Sequence, residues 1–300
     1  MTEILFTTAD VSQMLQVDKS TVKRWTDEGK LKCFRTPGGH RKFRAEDLYQ
    51  FMSEFNYGIS PLNLYPQFAS DEAVIRRIIV KKEYNVLASV CFNSAIQGKQ
   101  GDVAKLFSEV YRNGLALPII FDEVLRPTLK RVGDLNNSGK ISDAEMQLAN
   151  NALSSAIILF SDIVIKPGSI GKRVLCCSVE GDNNEIELKA LAVLLESEGF
   201  DVLNLGASAS LASVLQLIAS KQPHHVYLRV SDSFDLTQLA KAKEMLSTHD
   251  GKIFVMGNAQ KVQISSTPLI DRVCSTFKEI AGVQHDLFVR KTIDQNEIKN

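Results

Sequence analysis

Hydrophobic and polar positions change their period three times along this chain. Between Thr8 and Trp25 apolar residues recur at helical spacing in two short runs: Val11, Met14 and Leu15, then Val22 and Trp25. Gln16-Val17-Asp18 makes a tight turn between them, and Gly29 ends the second run. From Phe34 to Phe43 two apolar-flanked stretches surround Pro37-Gly38-Gly39, which predicts a hairpin. Gly58, Pro61 and Pro66 then interrupt the periodicity of Tyr57–Pro66, a linker. Helical spacing resumes for about a hundred residues. It predicts four helices, over about 71–97, 102–112, 117–136 and 142–165, separated by turns at Gly98–Gly101, Asn113–Gly114 and Asn137–Gly139. Short turns favour an antiparallel bundle. Ser142 with Glu145 three residues on is a capping-box pattern for the last of these helices.

After a second linker, Lys166-Pro167-Gly168-Ser169, the pattern alternates. Short β-rich runs at 173–179, 201–205, 225–230 and 252–256 are separated by helical stretches at 184–198, 211–221 and 236–248. A weaker strand at 272–274 precedes a final helix from about Phe277. Strands alternating with helices across short loops predict βαβ units and a parallel sheet. The expected fold class is multidomain α and α/β. A winged helix-turn-helix spans 1–56, a linker 57–70, a four-helix bundle 71–166, and a Rossmann-like (flavodoxin-like) domain 170–300.

Composition is that of an ordinary globular chain, with 44% hydrophobic and 23% charged residues. No apolar run is long enough to span a membrane, and no signal-peptide pattern opens the chain, so the expected setting is the cytoplasm. The five cysteines are scattered and show no CxxC pair, so neither a zinc site nor a disulfide framework is expected. Net charge is zero, but its distribution is uneven. Between Lys19 and Arg44 stand nine basic residues against Asp27 and Glu28 alone. That concentration suits a polyanion; a merely solvated basic face is the bland alternative.

In the second helix Val22 and Trp25 point inward and leave Ser20, Thr21, Lys23 and Arg24 outward, the layout that presents polar residues to a DNA major groove. The hairpin carries Arg35, His40, Arg41 and Lys42, cations suited to phosphate or a narrow minor groove, with glycines that permit close approach. These eight are the candidate contacts to double-stranded DNA. The run T-x-x-V-x-x-x-L-x-V-x-x-x-T-V-x-R-W (Thr8–Trp25), followed by T-P-G-G-H-R-K-F (Thr36–Phe43), resembles the MerR superfamily of transcription regulators over about fifty residues. That resemblance implies a regulator, with repression as one direction, acting on an operator repeat as a homo-oligomer.

The wider order of head, bundle and Rossmann-like domain resembles the cobalamin-dependent light-responsive repressors of carotenoid genes. The likeness is strongest at Val132–Leu135 through Ala149, and at Gly199–Ala207. The resemblance implies a cobalamin loop of form D-x-H-x-x-G after the first strand. Here it falls on Asp182, Asn184 and Glu187, so an amide replaces the imidazole that would ligate cobalt and a carboxylate replaces the glycine. The family's S-x-L stretch falls on Arg229-Val230-Ser231, and its Gly-Gly on Met256-Gly257. The Trp over the upper face falls on Asn136, and the Glu-His pair on Met146-Gln147. Six changes in three segments lead to the expectation that cobalamin is not taken up, leaving no cofactor and no metal. The C-terminal domains would then serve oligomerisation or a protein partner. Another small molecule in the crevice, or cobalamin held in a non-standard mode, remain as alternatives.

No G-x-G-x-x-G follows the first strand and no G-x-x-x-x-G-K-S/T occurs, so the chain is not expected to be an enzyme. The acids Glu180, Asp182, Glu185 and Glu187 suit a helix N-terminus as well as a metal pocket. His224 and His225 are adjacent on a strand and would face opposite sides.

Overall fold

The first helix starts where a side chain supplies missing backbone partners. Thr7 and Asp10 form a reciprocal capping box, the Thr7 N–H donating to Asp10 Oδ2 (2.8 Å) and the Asp10 N–H donating to Thr7 Oγ1 (3.2 Å). The computed structural model describes residues 5–15, 17–55, 72–179, 185–230, 236–249, 251–257 and 268–282. These fall into two compact units: 1–116 with 123–156, and 117–122 with 157–300.

The first unit opens with β1 (Leu5–Thr7), α1 (Thr8–Leu15) and α2 (Lys19–Asp27), then the wing strands β2 (Phe34–Arg35) and β3 (Arg41–Arg44) and helix α3 (Ala45–Glu54). β1 and α3 go beyond the expected elements: three residues show no period, whereas Leu48, Phe51 and Met52 of α3 do recur at helical spacing. β1 is held as a strand by pairing antiparallel with β3, Phe6 opposite Phe43. Val11, Val22, Leu31, Phe43 and Leu48 are buried to within 1% and form the small core. Trp25 lies inside it, 4.9 Å from the Phe51 ring, and does not stand out as a base-stacking surface. Burying a side chain such as Val22 contributes roughly 1.5–3 kcal/mol, a large share for so small a head.

The helical region follows as α4 (Glu72–Lys81), α5 (Tyr84–Ile96), α6 (Gln100–Arg112), the short α7 (Leu117–Ile119), α8 (Arg126–Asn137) and α9 (Asp143–Ser161). Two expected helices differ. The single helix over 71–97 is two, broken at Lys82, whose φ of 56° is left-handed. The Lys82 and Glu83 N–H groups donate to Ile79 and Ile78 carbonyls (3.1 and 3.0 Å), closing α4 with no glycine to advertise the stop. The helix over 117–136 widens to a π-turn at Ile120–Leu125. Pro127 has no N–H for the Glu123 carbonyl and its ring crowds that position, so the chain loosens just ahead of it. The capping box at Ser142 forms as expected, Ser142 N–H to Glu145 Oε2 (2.8 Å) and Glu145 N–H to Ser142 Oγ (3.3 Å).

In the second unit β4 (Arg173–Val179), α10 (Glu185–Ser197), β5 (Asp201–Ala209), α11 (Leu211–Lys221), β6 (His225–Arg229), α12 (Ala240–Ser247), β7 (Lys252–Met256) and β8 (Arg272–Cys274) alternate. A last helical stretch covers 277–282. The strands form a parallel five-stranded sheet, order β5-β4-β6-β7-β8. One face carries Leu175, Cys177, Val226, Leu228, Ile253 and Val255, packed with Val214 and Ile218 of α11 and Leu246 of α12. Asp122 caps the final helix, accepting from the Phe277 and Lys278 N–H groups (2.9 and 3.0 Å), and Phe121 lies 5.2 Å from Phe277. β5 runs four residues beyond the expected 201–205 and its register against β4 shifts twice, with Gly206 (φ 85°) and Ser208 (φ 54°) in left-handed conformations. The expected linker 57–70 lies outside the described residues.

Candidate functional site

Two surfaces carry the chemistry. On the first unit, Ser20, Lys23 and Arg24 of α2 are exposed and Thr21 is half-buried. Buried Val22 and Trp25 turn that row outward. In the wing the Thr36 N–H donates to the His40 carbonyl (2.9 Å) and the Gly39 N–H to the Thr36 carbonyl (2.8 Å), a tight turn that needs the positive φ of Gly39 (79°). Arg35 and His40 are exposed on it; Lys42 is half-buried. Arg41 is different. Its side chain is only 15% exposed, and Nη2 lies 2.5 Å from Asp27 Oδ1 at the end of α2; Arg35 lies 3.9 Å from the same oxygen. Arg41 therefore ties the wing to α2, and Asp27, one of the two acids among the basic residues of the head, is the anchor. Glu28 takes Lys30 (2.7 Å), and that hydrogen bond holds its carboxyl below the usual range. Lys23 and Arg24 remain outward-facing cations of the helix, with Glu28 at 4.0 Å from Arg24.

Within the helical region Asn136, next to last in α8, donates from its side-chain amide to Asp143 Oδ1 (2.9 Å), stapling the turn into α9. Met146 is half-buried on α9, and exposed Gln147 donates to Asn151 Oδ1 one turn on (3.1 Å).

In the second unit the structure brings together residues that the sequence placed far apart. Ser178, Arg229 and Met256 stand side by side at the carboxyl ends of β4, β6 and β7. Gly257 follows, its N–H donating to the Cys274 carbonyl (3.2 Å). Glu187, in the first turn of α10, is 8% exposed and forms a close ion pair with Arg229. Forty-two residues separate the partners, and no local pattern announces the pair. Ser178 Oγ, fully buried, accepts the Ser208 N–H (3.0 Å) and fixes the irregular end of β5 to β4. Asp182, Asn184 and Ser231 lie outside the described residues.

The described histidines of this unit sit at the opposite end of the strands. His225 begins β6, buried against Phe254 (5.6 Å), and burial pushes its pKa down to about 4. His224 accepts the Arg173 N–H through Nδ1 (3.2 Å), and burial lowers its pKa too. An open cavity of about 800 Å³ at that end is lined by Lys166, Arg173, Glu196, Asp201, Lys221 and His224. Two ion pairs lie in its lining, Lys166 with Glu196 (2.7 Å) and Arg173 with Asp201 (2.8 Å). Among the described residues no cluster of His, Cys, Asp and Glu could hold a metal ion, and no helix is long and apolar enough to cross a membrane.

Residues 5–55 match the family described as a helix-turn-helix domain, and residues 90–159 match the B12 binding domain family. The chain carries both modules. The monomethylamine corrinoid protein 2 of Methanosarcina mazei is 23% identical over 167 residues, 54% of this chain and 74% of that protein. The transcriptional repressor DcmR of Methylorubrum extorquens is 29% identical over 114 residues, 38% of this chain and 42% of that protein. The solved monomethylamine corrinoid protein of Methanosarcina barkeri superposes with a TM-score of 0.50 at 17% identity, over 66% of this chain and 96% of that one, a likeness of fold.

These matches overturn the expectation that the chain takes no cobalamin. That expectation weighed single ligand positions, whereas the B12 domain match runs through 70 residues of helical region, from the middle of α5 to near the end of α9. No histidine among the described residues stands at the carboxyl edge of the sheet, so these residues offer no imidazole there to a corrinoid's cobalt.

Proposed function

We propose that this chain is a non-enzymatic, DNA-binding transcription repressor of the MerR type that takes a corrinoid as its effector and reads an operator repeat as a homo-oligomer. The observation that carries the reading is the joining, in one chain, of a helix-turn-helix head with an outward cationic row and a segment that matches the B12 binding domain. The similarity to DcmR supports regulation, and the similarity to corrinoid proteins supports the ligand class. Lys23 and Arg24 meet the major groove, and Arg35, His40 and Lys42 meet phosphate or the adjacent minor groove. Arg41 works through Asp27 as a positioning residue that sets the wing against α2. Two heads on one oligomer raise affinity through effective concentration, which one short site could not supply.

When bound, a corrinoid supplies a rigid macrocycle large enough to favour one arrangement of the chain over another. It regulates DNA affinity only insofar as it binds the DNA-competent state better or worse than the alternative.

The test uses full-length protein incubated with hydroxocobalamin and passed over a desalting column. A visible cobalamin spectrum in near-stoichiometric amount is expected with the protein. Fragments selected from a random DNA pool should then shift in a salt-sensitive way, with an affinity that changes when the corrinoid is present. Protein that elutes colourless, or binds no fragment at any salt concentration, would sink the reading.

A further inference from the structure

Two consecutive arginines hold helix α4 to a different neighbour on each side. Adjacent residues leave an α-helix about 100° apart, so Arg76 and Arg77 reach different partners. Arg76 Nε donates to Asn113 Oδ1 (3.2 Å) just past the end of α6, and the Asn113 amide in turn donates to the Glu109 carbonyl (2.9 Å). Arg77 reaches the other way, to the head: its Nη1 donates to Gln50 Oε1 on α3 across 3.5 Å. Gln50 is oriented for this, because its Nε2 donates to Glu54 Oε1 (2.6 Å) one turn on and leaves its oxygen to accept. α3 packs against α4, and α4 against α6, inside one compact unit. Arg77 Nε is buried there with no hydrogen-bond partner among the described residues, so the seam is close but weakly bonded. The docking face is not the DNA face. Exposed Ser20, Lys23 and Arg24 lie on α2, and exposed Arg35 and His40 on the wing.

We infer that the Gln50–Arg77 seam presents the head to DNA in one pose on the helical region, and so restricts the separation at which two heads read their half-sites together. The inference rests on the operator-repeat reading above. Released from α4, a head would keep only its chain connection through residues 56–71. A second head adds affinity only where geometry lets both engage, and half-site spacing follows the distance between the heads. A head free to turn meets its half-site at several separations; a docked head does not. Gln50 and Arg77 are thus positioning residues that select spacing without reading a base.

Trp25 is the only tryptophan of the chain and is buried in the head, so its fluorescence anisotropy follows the tumbling of the head. In the full-length protein the decay should lack the faster rotation of a free head. Arg77→Glu sets a carboxylate against the Gln50 oxygen and should bring that rotation in. Arg77→Glu with Gln50→Arg restores donor to acceptor across the seam and should abolish it again. If Arg77→Glu fails to fold by circular dichroism, Gln50→Arg alone, which opposes two guanidinium groups, takes its place. On DNA, a fragment with two copies of the selected half-site is compared with one lengthened between them by about 5 base pairs, half a turn. The parental and exchanged proteins should lose about tenfold or more in affinity, and Arg77→Glu less than about threefold. All should bind a single half-site within about threefold of one another. A parental head that already tumbles freely, or an Arg77→Glu protein that tumbles and reads spacing as the parent does, overturns the inference and leaves the operator-repeat reading intact. Selection that returns only single half-sites removes both.

Discussion

The head and the sheet each hold an arginine against a carboxylate, and the two pairs differ in burial more than in chemistry. Asp27, which receives Arg41 at 2.5 Å, is 61% exposed; Glu187, which receives Arg229, has a side chain 11% exposed. Water screens the first pair and little of it reaches the second. The same bond therefore guides the wing in one place and joins helix to strand in the other. The wing can be re-aimed cheaply, whereas α10 can be parted from β6 only by dealing with two charges at once.

The largest expected effect tests that contrast at its buried end. Glu187→Ala alone should lower the unfolding free energy of the sheet unit by about 3–5 kcal/mol, because it breaks a buried ion pair from one side. Glu187→Leu with Arg229→Met should recover most of the loss. Urea denaturation of the three proteins checks this, and a single-variant loss below about 1 kcal/mol would place the pair with exposed ones.

Next in size is pH. His225 is 6% exposed, and burial lowers its folded-state pKa from 6.5 to about 4. A depressed histidine pKa means that the unfolded chain takes up the proton first. Its contribution is constant above about pH 6.5 and declines as pH falls toward 4, by up to about 3 kcal/mol in total. His225→Leu should flatten that part of the stability profile. An unchanged slope between pH 6.5 and 4 would contradict the assignment.

On the head, Arg24→Ala should reduce binding to a preferred DNA fragment by about 1–3 kcal/mol and relax base preference at one position. Equal weakening toward unrelated fragments would instead mark Arg24 as a phosphate contact. The smallest change is expected for Asp27→Asn, under about 1 kcal/mol in stability. Its DNA affinity should nevertheless fall, because Arg41 no longer fixes the wing; titration of a labelled fragment at two salt concentrations reads this.

Much of the architecture was legible where pattern is local. The strands at Arg173–Val179, Lys252–Met256 and Arg272–Cys274 and the helix Leu211–Lys221 fall where alternation and turn residues put them. What escaped depended on tertiary contact. β1 exists because β3 pairs with it, and α4 stops at a left-handed lysine that no glycine marks. The inward-facing Val22 and Trp25 made the outward row of α2 readable, but not the hold of Asp27 on Arg41. At the sheet, Glu187 and Arg229 read as two separate departures from a cobalamin motif, and only the fold shows them to be partners. The expectation of no cobalamin failed for a related reason: it rested on a few conspicuous positions, whereas the likeness is spread over many ordinary residues of the helical region.

The irregular end of β5 also bears on how the protein survives its own synthesis. This strand lies at the margin of the sheet, where unpaired N–H and C=O groups would welcome a neighbouring chain. Two register shifts, left-handed Gly206 and Ser208, and the tether from Ser208 to Ser178 bend its last third out of line. A second molecule arriving edge-on finds no straight ladder to extend. Flattening this stretch would first appear as insoluble protein in a crowded cell, before any assay of DNA or corrinoid could be run.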